Sequence, residues 1–158
     1  MLKKLFFIAI IPAIFSTSIF AQETFTNEAA KVSVTLPAGW IYENTEGGII
    51  AHPEAGGFAV YFQVISSDDL SAALDEVDKE LQANFTNLQW AEGVSRDVNG
   101  MNAITVDGTA DGILLAVGVM DTPAPNTTLM VGAWGAPEVI EQYANDIQLI
   151  LGSISPVQ

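Results

Sequence analysis

One imidazole, no thiol and 19 carboxylates make up the reactive inventory of this chain. His52 is the only side chain whose ordinary pKa lies near neutrality, so a hydroxyl nucleophile would have to be activated there, in a Ser-His-carboxylate arrangement. No serine stands in a Gly-x-Ser-x-Gly elbow, and His52 closes a short strand before Pro53, where a surface or packing role is the commoner one. Pairs of carboxylates suited to glycoside hydrolysis exist among 19 candidates, but no spacing selects any of them. One imidazole without a thiolate is a poor donor set for zinc or copper. Calcium needs only oxygen, and Asp107, Asp111 and Asp121 fall near expected turns, yet none begins an alternating carboxylate loop ending in glutamate. Asp107-Gly108 and Asp111-Gly112 are better read as turn or bulge chemistry. Gly47-Gly48 and Gly56-Gly57 lack the spacing and following helix of a phosphate loop. No catalytic, cofactor-binding or metal-ligating residue is therefore assigned. The aromatics are the remaining lead: Trp40, Tyr42 and Trp90 are the expected partner or ligand surface. Trp40 and Trp90 lie at element ends, where sites tend to form. Core packing is the competing role for all of these rings, as for Tyr61 and Trp134.

The elements that would position these residues follow from periodicity. Residues 31 to 36 alternate polar and apolar, as a half-buried strand does, and Pro37-Ala38-Gly39 ends it. Residues 40 to 42 and 49 to 52 are short strands around a Gly-rich loop, and the aromatic, β-branched run 58 to 65 is a central strand. From residue 68 to 85 the period changes. Leu70, Ala73, Leu74, Val77, Leu81 and Phe85 line one face of a helix, with Ser66 and Asp69 resembling a capping box. Asn99-Gly100, Asp111-Gly112 and the Thr122 to Asn126 turn then imply four neighbouring antiparallel strands. A second helix starts at Pro137, with Gly152 as its expected C-cap. Two amphipathic helices and a mostly antiparallel set of strands predict an α+β sandwich: a central antiparallel sheet flanked by two main helices.

The N-terminus carries an address. Lys3-Lys4, the apolar run Leu5 to Phe15, the Ser/Thr patch and Ala21 occur in the order of a cleavable export signal, so residues 1–21 are expected to be removed and residues 22–158 to form one domain. The apolar run falls short of the roughly 20 residues of a spanning helix, and no membrane insertion is expected after cleavage. Beyond Ala21 only Lys31, Lys79 and Arg96 are basic, and three positive against 19 negative residues leave −16. Such a field repels nucleic acid and anionic lipid and favours solubility. With no cysteine, the exported domain rests on its core rather than on disulfides.

The strand ending in Leu36-Pro37-Ala38-Gly39-Trp40, the acid-capped helix, the glycine-turned meander and a C-terminal helix ending in Ile150-Leu151-Gly152-Ser153-Ile154 together resemble the Mog1/PsbP-like superfamily, including exported bacterial members related to the DcrB group. The resemblance spans about residues 25 to 154. It implies a central antiparallel sheet flanked by helices, and a binding or accessory role rather than catalysis. In that superfamily Mog1 binds a small GTPase, PsbP supports photosystem II and some relatives are chaperones for secreted proteins. An export signal argues against the intracellular GTPase here. The functional expectation is an exported, non-catalytic protein, periplasmic or secreted, that engages a protein partner and needs no cofactor. The rival expectations are a secreted hydrolase using carboxylates and His52, and a calcium-tuned structural module.

Overall fold

The computed structural model describes residues 22–157; the export signal expected over residues 1–21 lies outside them. The chain runs β1 (Thr24–Asn27), β2 (Val32–Thr35), β3 (Trp40–Thr45), β4 (Gly48–Pro53), β5 (Val60–Ile65), α1 (Leu70–Asn84), β6 (Gln89–Trp90), β7 (Val94–Val98), β8 (Met101–Ala110), β9 (Ile113–Asp121), β10 (Thr128–Gly135), α2 (Pro137–Ser153) and β11 (Ser155–Pro156). All pairings are antiparallel. A large sheet has the order β3-β4-β5-β10-β9-β8-β6, with β7 also on β8, and a three-stranded sheet has the order β1-β2-β11. The α+β architecture read from periodicity is present, and β7, β8, β9 and β10 are the four consecutive neighbours expected of the meander.

Because alternate residues of a strand face opposite sides, a sheet covered on both faces needs apolar residues in succession. β10 meets that demand with the run Leu129 to Ala133. On one face Val60, Phe62, Leu129 and Val131 pack beneath Val32 and Val34 of the small sheet and Ile150 of α2. On the other, Leu115, Val117 and Val119 pack against Ala73, Val77 and Leu81 of α1. Each large aliphatic chain buried in this way contributes about 1.5–3 kcal/mol. The buried Thr128 keeps its hydroxyl satisfied by donating to the Ser67 carbonyl at 2.8 Å.

Several local expectations are corrected. The capping box is absent: Asp69 itself is the N-cap of α1, its carboxylate accepting from the backbone of Ser71 and Ala72, while Ser67 rather than Ser66 braces it. Gly152 does not end α2, which continues through Ser153 to an Ile154 cap. There the Ser153 hydroxyl accepts from Thr35 N at 2.9 Å, tying the last turn to β2. The strands β1, β6 and β11 go beyond the sequence reading, because two to four residues hold too little alternation to be recognised.

Candidate functional site

The three aromatic residues expected at a surface do not assemble into one. Trp40 is only 4% exposed; its ring meets Phe58 and Tyr143 edge-on at 6.2 and 5.9 Å, and its indole N–H donates to Asp146 Oδ2 at 2.9 Å. It is a core residue that clamps α2, since a buried indole needs both apolar neighbours and one acceptor. Tyr42 is half-buried on the same side, edge-on to Phe25 at 5.3 Å. Trp90 belongs to the opposite face, against the α1 core, where its indole N–H donates to Asp78 Oδ1 at 2.6 Å. Element ends hold these rings, but each is used to join a helix or a strand to the sheet.

His52 donates its Nδ1–H to the Pro53 carbonyl at 2.9 Å, and its Nε2 lies 3.6 Å from Glu43 across the β3–β4 pair. Its neighbours are a carbonyl and a solvated carboxylate, which orient an imidazole without supplying a nucleophile. The three aspartates weighed for calcium are dispersed. Asp107 is exposed on β8, and Asp121 accepts from Asn102 at 3.3 Å. Asp111 sits in the β8–β9 turn and accepts from the Thr86 backbone and hydroxyl and from Asn87. Those donors hold the Asp111 carboxyl below its ordinary value, the Thr86 hydroxyl contributing most. The bonds fasten the end of α1 to the turn. Among the described residues no three His, Asp or Glu side chains converge as metal ligands.

The feature the sequence reading missed is a groove of ≈ 570 Å³ between α2 and the strands β7 to β10. Its floor is the part of the α2 face of the large sheet that the small sheet leaves uncovered. Register aligns Asp107 with Ala116 and Thr105 with Gly118, then Ala116 with Ala133 and Gly118 with Val131. Small side chains at Ala103, Ala116, Gly118 and Ala133 therefore lie on one face and keep the floor low. One wall is α2, through Ile140, Ala144, Ile147 and Leu151 at helical spacing. The other is the edge strand β7, from which Arg96 donates its Nε–H to Thr105 Oγ1 at 2.9 Å.

One end of the groove is closed by the β7–β8 hairpin. Asn99 and Gly100 have φ of 51° and 87°, the left-handed pair of a two-residue hairpin. This turn aims the Asn99 amide at the C-terminus of α2, where it donates to the Ile154 carbonyl at 2.6 Å and that of Gly152 at 3.1 Å. These are carbonyls a helix end leaves without intrahelical partners. A strand-period run of small residues on neighbouring strands was the available signal for the groove. It becomes readable only once register is known.

No protein-family model and no curated protein matches the chain. Solved structures do. The cyanobacterial PsbP protein CyanoP of Synechocystis sp. PCC 6803 superposes with a TM-score of 0.66 at 9% identity, over 89% of this chain and 95% of that one. The Ran-binding protein Mog1p of Saccharomyces cerevisiae gives 0.55 at 10% identity, over 88% and 97%. LpqN of Mycobacterium tuberculosis, described as involved in cell envelope biogenesis, gives 0.55 at 14%, over 87% and 91%. Identities this low carry the backbone architecture and nothing finer. Likeness along nearly the whole length of all three, together with the strand order and the two helices on opposite faces, identifies this chain as having the Mog1/PsbP-like fold.

Proposed function

We propose that this protein is an exported, non-catalytic binding or accessory protein that acts in the periplasm or outside the cell, and that the side bearing α2 is its working face. The observation that carries the reading is Leu149. Among the described residues it is the most exposed large apolar side chain, at 55%, and it stands on the outer side of α2, the helix that walls the groove. A strongly acidic surface sheds nonspecific partners, so an apolar anchor beside an open groove is where a specific protein contact gains most. The export signal over residues 1–21 supports the location. No described helix is long and apolar enough to cross a membrane. Support for the role comes also from neighbours of the same fold, one described as Ran-binding and another as involved in cell envelope biogenesis.

A photo-crosslinking residue placed at Leu149 tests this in the intact envelope. The expected result is a discrete protein adduct that is absent when the same residue replaces Glu46, in the β3–β4 turn at the far edge of the sheet. Equal labelling from both positions, or none from either, overturns the reading.

A further inference from the structure

The groove carries charges that do not satisfy one another. Arg96 is exposed on its outer wall, with Nε committed to Thr105 Oγ1 and the two terminal nitrogens of the guanidinium beyond it. Asp107 stands on the same face, two residues along β8 from Thr105. Among the described residues the single ion pair within 4.0 Å is His52–Glu43, so neither Arg96 nor Asp107 has an opposite charge at contact distance. The remaining carboxylate in the lining, Asp97, already accepts from Gly100 N at 3.1 Å within the hairpin turn. The small-residue floor runs level with these charges, Ala103 opposite Arg96, Gly118 beside Thr105 and Ala116 beside Asp107, and is faced by Ile147 and Leu151.

We propose that this groove binds a single-chain amphiphile whose head carries both an anion and a cation. The apolar chain lies over Ala116 and Gly118 beneath α2, on the accessible part of the floor. The anionic group meets the Arg96 guanidinium, whose fork is preset by Thr105, and the cationic group meets Asp107. Volume agrees, since ≈ 570 Å³ falls within the range of about 300–1,000 Å³ usual for small-molecule sites. Charge decides the class of head. A domain at −16 repels a bare anion and has one arginine in the groove against two aspartates, whereas a balanced dipole meets no net repulsion and matches both local signs. A neutral head leaves Arg96 and Asp107 without gain. This goes beyond the protein-partner reading, which concerns the outer side of α2.

The test is isothermal titration of the protein, expressed with its own N-terminus, with octylphosphocholine below its micelle concentration. Octyl glucoside and octanoate share the tail and change the head. Octylphosphocholine is expected to bind one to one and about tenfold or more tighter than either. Arg96→Gln and Asp107→Asn should each remove most of that advantage while leaving octyl glucoside unchanged, with melting temperatures intact because both residues are exposed. Ala116→Trp fills the floor from an exposed position and should abolish binding of all three; Ala144→Trp on the helix wall does the same from the other side. Octyl glucoside binding as tightly as octylphosphocholine overturns the dipolar head. So does octanoate binding tightest with Asp107→Asn strengthening it. Undiminished binding to both tryptophan variants overturns the groove. Because the crosslink at Leu149 is scored separately, failure there and failure here are distinct outcomes.

Discussion

Gly108 and Trp90 offer a quantitative test of what an aromatic at an element end is for. A Cβ built on Gly108 would lie 2.4 and 2.6 Å from Cε3 and Cζ3 of Trp90 and 3.0 Å from the Gln89 carbonyl oxygen. The ring has little freedom to yield, because its N–H is held by Asp78 on α1 at 2.6 Å and β6 is paired to β8 at Trp90–Gly108. Gly108→Ala therefore forces an overpacked contact, worth about 1–3 kcal/mol of stability. Trp90→Ala removes a half-buried ring and its hydrogen bond, at about 2–3 kcal/mol, less than the loss expected of a fully buried tryptophan. In the double variant the ring that obstructs the new methyl is gone, and only the Gln89 carbonyl contact remains. The combined loss should fall short of the sum by about 1–2 kcal/mol, a coupling readable in a double-mutant cycle. Urea unfolding followed by circular dichroism measures it, and each kcal/mol should move the melting temperature by about 3–5 °C for a domain of this length. Losses that add to within about 0.5 kcal/mol would show that the ring does not press on Gly108. A near-neutral Trp90→Ala would return Trp90 to the surface role expected of it from sequence.

Three further outcomes follow from named contacts. Trp40→Ala should cost about 3–5 kcal/mol, because it empties a core site and leaves Asp146 without its indole donor; a loss under about 1 kcal/mol in denaturant melts would contradict the burial assigned to it. Asn99→Ala puts at φ 51° a residue that tolerates the left-handed region less well than asparagine and removes both bonds to the end of α2, so about 2–3 kcal/mol should be lost, with faster hydrogen exchange at Ile154 and Ser155; unchanged exchange there would contradict the clamp. The Asp111 carboxyl is held below 3.8, so its contribution to stability is present above about that pH and fades as pH falls through its lower folded value. The stability difference between wild type and Asp111→Asn should accordingly shrink on acidification, and carbon-detected NMR should find Asp111 titrating below the ordinary aspartate value. A titration at or above the ordinary value would remove the cause assigned.

The fold was legible where local chemistry alone sets the backbone. Asn99-Gly100 and Asp111-Gly112 do adopt positive φ in sequence, and these turns impose the β7-β8-β9 part of the meander whatever the rest of the chain does. The face of α1 was readable for a similar reason, since Ala73, Val77 and Leu81 recur at helical spacing and are its buried residues. The small sheet was not, because β11 is two residues long and exists through pairing with Ser33 and Val32, more than 100 positions away. Cap details failed on a finer scale. Ser66 and Ser67 are interchangeable in sequence, and only the start of the helix at Leu70 makes Asp69 the cap.

The site was hidden by a different cause. Residues that pack and residues that bind are the same aromatic types, so composition placed Trp40, Tyr42 and Trp90 at a surface, while the structure spends their rings on joining elements. The groove is defined by the opposite property, the smallness of Ala103, Ala116, Gly118 and Ala133, and small residues announce nothing in one dimension. Gly118 makes the point. Its backbone is not left-handed, and an added Cβ would find Thr105 Cγ2 at an ordinary 3.6 Å, so neither conformation nor packing demands glycine there. What its absent side chain leaves is space above the floor, beside Thr105 and between the levels of Arg96 and Asp107, where Ile147 and Leu151 face the sheet. Gly118→Leu should therefore be tolerated by the fold and felt by whatever occupies the groove. A variant that melts like wild type yet loses octylphosphocholine binding separates the two roles, whereas one that melts early would assign the glycine to packing after all.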